Sequence, residues 1–200
     1  NGKHLLEIIN DILDLSRIEA GKLEVERVAC NLGGLLADVE SLMRVRVAQN
    51  PDLELRVTAN TRVPETIDSD AKRVRRVLIN LVGNAIKFTK RGHVEVGVEY
   101  GQEASVLRIY VEDTGIGIAP EMLTTLFEPF TQGDSSVTRT YGSSGLGLTI
   151  SKRLTEMIGG ELSVRSDVQQ GSTFTVTLPV GPIDKSTLID LPTPLVTRES

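Results

Sequence analysis

Cysteine and histidine are scarce in this chain: its 200 residues hold one cysteine and two histidines. The single thiol, Cys30, excludes an internal disulfide framework and fits a reducing compartment. It precedes Asn31, with no histidine base near it in sequence, and reads as a buried structural thiol. No apolar run approaches the roughly 20 residues needed to cross a bilayer, and no signal-peptide pattern is visible. Both point to a cytoplasmic location. The chain opens inside a helical pattern and so reads as a fragment whose parent protein has room for a membrane span elsewhere. A net charge of -5 argues against a general nucleic-acid surface. Arg73, Arg75 and Arg76 form a local basic cluster, either a solvated face or an accessory phosphate or interdomain contact. His4 falls in an apolar helical pattern and His93 opens a strand-like run, and each reads as an ordinary structural histidine.

What the chain does have is a pair of glycine-rich turns. Asp113 to Pro120 reads Asp-Thr-Gly-Ile-Gly-Ile-Ala-Pro, and Gly142 to Leu148 reads Gly-Ser-Ser-Gly-Leu-Gly-Leu. Asp113 comes after the strand-like run 106–111, so its carboxylate emerges at a strand end, where it can accept a hydrogen bond from an exocyclic amine. Adenine carries such an amine, whereas guanine presents a carbonyl there. Gly115 and Gly117 let backbone approach a flat base and permit positive φ. Gly145 and Gly147 lead into a helical pattern whose backbone N–H groups and dipole favour phosphate oxygens. Either turn alone is equally readable as plain loop chemistry. Their order, downstream of an asparagine-bearing helix, points to a nucleotide pocket.

That helix spans about 70–88, with Val74, Val77, Leu78, Leu81, Val82, Ala85 and Ile86 as its core stripe. Asn80, Asn84 and Lys87 recur at steps of four and three and share one face. An amide oxygen is a hard ligand suited to Mg²⁺, which binds through few protein groups plus substrate phosphates. Asn84 is therefore the candidate metal ligand, and Lys87, one turn on, is placed to neutralise phosphate. A merely solvated face would favour Glu, Lys or Gln over two poor helix formers.

With these residues in view, the chain resembles the catalytic and ATP-binding domain of sensor histidine kinases, in the GHKL superfamily. Asn80 to Thr89 resembles the family's N box, Asp113 to Pro120 its G1 box, and Leu126 to Phe130 its F box. Gly142 to Leu148 resembles the G2 box and Gly171 to Phe174 the final glycine box. The resemblance covers nearly everything from residue 1 to about 180. It implies that Asp113 reads the adenine amine with Thr173 near the same base edge, in a pocket shaped by Gly115, Gly117 and Ile118. It further implies Mg²⁺ on Asn84, Asn80 beside the phosphates, Lys87 on phosphate and Phe88 enclosing the nucleotide. Ser144, Gly145, Leu146, Gly147 and Leu148 would line the phosphates, and Arg139 would approach them on closure of a lid over about 131–145. Phe127 and Phe130 would anchor a lid edge.

Two departures and one substitution refine this. Gly142-Ser-Ser-Gly145 stands where relatives usually carry Gly-Gly-Thr-Gly, so Ser143 stiffens the lid's hinge while Ser144 keeps a hydroxyl. At Asn80 the hydrolytic relatives resemble a glutamate that activates water. An amide has no such basicity, which fits an enzyme whose nucleophile is a protein imidazole. The family's acceptor histidine lies on a first dimerisation helix with no counterpart here. The implied protein takes up ATP and Mg²⁺, transfers the γ-phosphoryl group to a histidine on that helix, works as a homodimer, and serves a response regulator or receiver domain. The rivals are an ATP-hydrolysing machine and a non-catalytic module that regulates a partner kinase.

Leu5, Ile8, Ile12 and Leu15 alternate at four and three, with Leu6, Ile9 and Leu13 widening the stripe. This resembles the second dimerisation helix, over residues 1–21, bundled against a partner helix and a second chain; the other reading is an ordinary core helix. Strands are expected near 24–30, 53–59, 93–100, 105–112, 161–166 and 172–179, the last two as a hairpin. Helices are expected at 2–20, 32–49, 70–88, after Pro120, and at 145–158. The result is an α+β fold: a two-layer α/β sandwich of the Bergerat type, a mixed sheet with helices on one face, over residues 22–180. Pro182, Pro192 and Pro194 mark 181–200 as a tail or linker.

Overall fold

The computed structural model describes residues 2–131, 145–181 and 183–191. A five-stranded mixed sheet organises it. Its strands are β2 (Leu53–Ala59), β5 (Gly92–Gly101), β6 (Val106–Asp113), β7 (Glu161–Asp167) and β8 (Gly171–Pro179), in the order β2-β5-β6-β8-β7. Only β2 and β5 pair in parallel; β5, β6, β8 and β7 form antiparallel ladders. β6 alternates buried Leu107, Ile109, Val111 and Asp113 with more exposed Arg108, Tyr110 and Glu112, so one face meets the core and the other meets solvent. The expected sandwich is therefore the observed one.

Three helices cover the buried face: α2 (Leu32–Val47), α3 (Ala71–Phe88) and, after the short α4 (Pro120–Leu123), α5 (Gly147–Met157). Asn31 caps α2 by accepting from the Gly34 N–H at 2.7 Å. Asp70 caps α3 through Arg73 N–H and holds the Arg73 guanidinium, while its second oxygen accepts from the Glu26 N–H at 2.9 Å. A buried carboxylate at the start of α3 thus ties the helix to the incoming chain. The α3 stripe is buried as expected, except that Ile86 is only partly covered.

The short pieces differ from expectation. β1 (Val28–Asn31) is shorter than the anticipated strand and pairs with β4 (Thr66–Ser69), which sequence reading did not find. Nor did it find β3 (Val63–Pro64), which pairs with β9 (Leu188–Ile189) just after a 3-10 turn at Lys185–Thr187. This corrects the tail expectation over 183–191. Leu188 is buried, Arg62 donates to the Leu188 carbonyl, and the Glu65 N–H donates to Thr187 O at 3.1 Å. Residues 183–191 stay with the domain because β9 finds an open partner in β3.

α1 (Gly2–Glu19) rests on the domain by its second half. Leu15 and Ile18 pack against the core, and Arg76 of α3 pairs with Asp14 at 2.5 Å and Asp11 at 3.6 Å. Of the arginine cluster, Arg76 thus contacts α1, Arg75 faces Asp38 of α2, and Arg73 is spent on Asp70. Leu5, Leu6, Ile9, Ile12 and Leu13 remain exposed. Among the described residues no helix is long and apolar enough to cross a membrane.

Candidate nucleotide-binding site

The site opens where the end of β6, the C-terminus of α3 and the start of α5 converge. Asp113 closes β6 and is only 6% exposed. Its Oδ1 accepts from the Gly115 N–H at 2.8 Å and lies 3.5 Å from the Thr89 hydroxyl at the end of α3. Burial holds this carboxyl above the ordinary carboxylate range, against the lowering effect of hydrogen bonds from the Gly115 and Ser172 backbone and from Thr89. A carboxylate fixed in that way, at a strand end, is a poised acceptor.

The glycines answer steric demands. A Cβ on Gly115 would stand 2.5 Å from the Phe88 carbonyl oxygen and 2.7 Å from Asp113 Oδ1, so any side chain would pry β6 from α3. Gly117 has φ +67° and faces the Asp167 carbonyl at the β7–β8 turn. The same turn is bound by the Gln169 N–H donating to Ile116 O at 2.8 Å. Ile118 packs partly against the core and donates its N–H to Ser166 Oγ at 2.8 Å, so that N–H is not available to a ligand.

Asn80, Asn84, Lys87 and Phe88 line one partly exposed face of α3, as their spacing predicts. Lys87 Nζ lies 5.0 Å from the Phe88 ring centroid. Burial pushes its ammonium below the usual lysine range, the state in which an arriving anion gains most. Asn80 is already engaged: its Nδ2 donates to Ser151 Oγ of α5 at 2.9 Å, and its Oδ1 lies 2.5 Å from where a Gly147 Cβ would stand. It therefore braces the start of α5, the anion end of the site beside which the resemblance sets it.

α5 supplies the anion end. Its first helical bond runs from the Ile150 N–H to Leu146 O at 2.9 Å, so the N–H groups of Gly147, Leu148 and Thr149 have no intrahelical acceptor. Leu146 is fully buried and Leu148 partly so; both hold the helix down, and their contribution to a ligand is backbone. Gly145 lies against Phe130 and Thr131 with φ +69°. Arg139, Ser143 and Ser144 lie outside the described residues.

Thr173 is the correction. In β8 it pairs with Glu112 and Arg165, on the solvent face of the sheet, across the strand from the pocket. The residue opposite Asp113 is Ser172, which is 7% exposed, with its hydroxyl 2.9 Å from Ser166 Oγ. Period-two alternation counted from buried Phe174 would have found it. Ser172→Ala is expected to weaken purine binding several-fold, about 1 kcal/mol for one hydroxyl contact, and Thr173→Val to leave it unchanged. Calorimetric titration of both variants checks the assignment, and the reverse ranking would overturn it.

The chain as a whole resembles known proteins. The family described as histidine kinase-, DNA gyrase B-, and HSP90-like ATPase matches residues 69–182. The chain is 42% identical over 184 residues to the autoinducer 2 sensor kinase/phosphatase LuxQ of Vibrio parahaemolyticus, covering 90% of this chain and 21% of that protein. It is 44% identical over 185 residues to hybrid signal transduction histidine kinase A of Dictyostelium discoideum, covering 88% of this chain and 8% of that one. The chain thus spans about a fifth or less of the length of these relatives. Among solved structures, full-length ShkA in complex with AMPPNP superimposes with TM-score 0.80 at 33% identity, over 91% of this chain and 38% of that chain. The histidine kinase ThkA in complex with the response regulator protein TrrA gives TM-score 0.69 at 25% identity, over 90% and 48%. The matched region holds the strand end of Asp113, the asparagine-bearing α3 and the glycine-led α5 on one mixed sheet, and the chain belongs to the histidine kinase-, DNA gyrase B- and HSP90-like ATPase family.

Proposed function

We propose that residues 22–180 form the ATP-binding catalytic domain of a sensor histidine kinase, with α1 the second helix of its dimerisation domain. The single observation that carries the choice over a hydrolytic ATPase is Asn80. An amide, committed to Ser151, occupies the place where a water-activating carboxylate would be needed. The relatives named as histidine kinases, and the AMPPNP in ShkA, support the same reading.

In this reading Asp113 accepts from the adenine amine, and Ser172 flanks it. The free N–H groups at the start of α5 and the Lys87 ammonium hold phosphate oxygens, so catalysis is positioning and charge stabilisation. Asn84 presents the only neutral amide of the α3 face not bound to α5, a donor type that fits Mg²⁺. Bound with the phosphates, the ion would neutralise the charge of the transferring group. His93 stands on the open face of the sheet, with Glu54 as its strand neighbour, so the sheet separates it from the pocket. The phosphoryl acceptor is then an imidazole on a dimerisation helix of the homodimeric parent protein, for relay to a receiver aspartate.

The test mixes this chain with a separately produced acceptor helix and γ-labelled ATP. Acid-labile phosphate on the helix histidine is the expected outcome. Enzyme-like phosphate release without the helix would assign a hydrolase instead.

A further inference from the structure

Arg46 lies outside the strand end, helix face and helix start that form the nucleotide site. It occupies the last turn of α2, its side chain is exposed, and among the described residues it is not one of the arginines held in an ion pair. Its guanidinium reaches across to α3: a Cβ built on Gly83 would stand 3.2 Å from Nη1. The two helices run in parallel register here. Arg75 Nε lies 3.9 Å from Asp38 Oδ2, and Arg46 and Gly83 each lie eight residues beyond those partners (46 − 38 and 83 − 75).

Gly83 sits on the polar face of α3. At 3.6 residues per turn it lies about 40° around the helix from Lys87 and about 60° from Asn80. A glycine in the middle of an 18-residue helix costs helix stability and needs a reason. The guanidinium that it seats supplies one. Arg46 thus sets a permanently charged, planar, multi-donor group against the side of α3 at Gly83, within about 60° of helix turn from Asn80 and Lys87.

Its place along α3 selects the part of the ligand it meets. The base end of the site is fixed at Thr89, whose hydroxyl faces Asp113. Gly83 lies six residues N-terminal to Thr89, roughly 9 Å along the axis. That is the direction of the start of α5, where Asn80 touches Gly147, and hence of the phosphates. We propose that Arg46, seated on Gly83, binds the terminal phosphoryl group of the nucleoside triphosphate and so distinguishes triphosphate from diphosphate. This rests on the reading of the site as one for a nucleotide.

Titration calorimetry with Mg-ATP and Mg-ADP tests it. Arg46→Ala is expected to weaken ATP about tenfold or more, the usual loss for a charge-assisted contact, and to leave ADP within about twofold. Gly83→Ala should produce the same selective loss by displacing the guanidinium, although it melts no lower than the parent because alanine favours helix. The double variant should lose no more than either single one, since both act on one contact. Equal losses for ATP and ADP, no loss for either, or additive losses in the double variant would each overturn the proposal. Loss of ATP binding in Asp113→Ala beside an unchanged ATP:ADP ratio in Arg46→Ala would leave the nucleotide site standing without Arg46. No nucleotide binding by the parent chain would remove both.

Discussion

Replacing Asp113 with alanine is expected to weaken ATP binding by roughly a hundredfold or more while the domain still folds. A hydrogen bond to a charged partner contributes about 1.5–3 kcal/mol, and a pocket built around such a group discriminates more sharply than the single bond suggests. The fold survives because the carboxylate lies at the end of β6, beyond the hydrophobic run Leu107, Ile109 and Val111. The pH dependence gives an independent check. Burial raises the Asp113 pKa in the folded state. Its contribution to stability is therefore present below the ordinary carboxylate pKa and is lost as pH rises through the folded-state value. At neutral pH that contribution is gone from the parent, so the variant should lose least stability against it there. The difference between the two should shift in the parent's favour on acidification. Calorimetry and thermal melts from pH 4 to about pH 8 cover both points, and unchanged ATP affinity would contradict the assignment.

How far the molecule could be read in advance depended on whether a signal was local. α3 was legible because its apolar residues repeat with the helical period and its asparagines with the same period on the opposite side. Asp113, Gly115, Gly117 and the start of α5 were legible because turn chemistry is written within a few adjacent residues. What failed was parity and pairing. Thr173 and Ser172 are neighbours in sequence, yet one step along a strand exchanges the pocket face for the solvent face, and only the register with β6 decides which is which. β3 and β9 are two residues each, too short for any period, and they exist because they find one another across more than a hundred residues of chain. Asn80 showed the same limit in another form: its place on the polar face of α3 was legible, but its attachment to Ser151 of α5 was invisible until both helices were in place. The arginine cluster was seen as a group and resolved only by its partners, Asp70, Asp38, Asp11 and Asp14.

The second large effect is expected at the other end of the site. Asn84→Ala should abolish the Mg²⁺-dependent tightening of ATP binding and lower phosphoryl transfer by about 10²–10³, the scale seen when one preorganised charge-stabilising contact is removed. Stability should not fall: Asn84 is partly exposed, its side chain makes no hydrogen bond among the described residues, and alanine is the better helix former. The contrast with Asp113→Ala is diagnostic. The base-end variant loses nucleotide with or without metal, whereas the metal-end variant should bind ATP in EDTA as the parent does and gain nothing when Mg²⁺ is added. Equal metal dependence in Asn84→Ala and parent would move the metal ligand off α3. Because the two residues sit on different elements, Asp113 on β6 and Asn84 on α3, and share no partner among the described residues, their effects on binding in Mg²⁺ should add in a double variant. A strongly sub-additive result would mean that α3 and β6 shift together and that the pocket is assembled by the ligand instead of waiting for it.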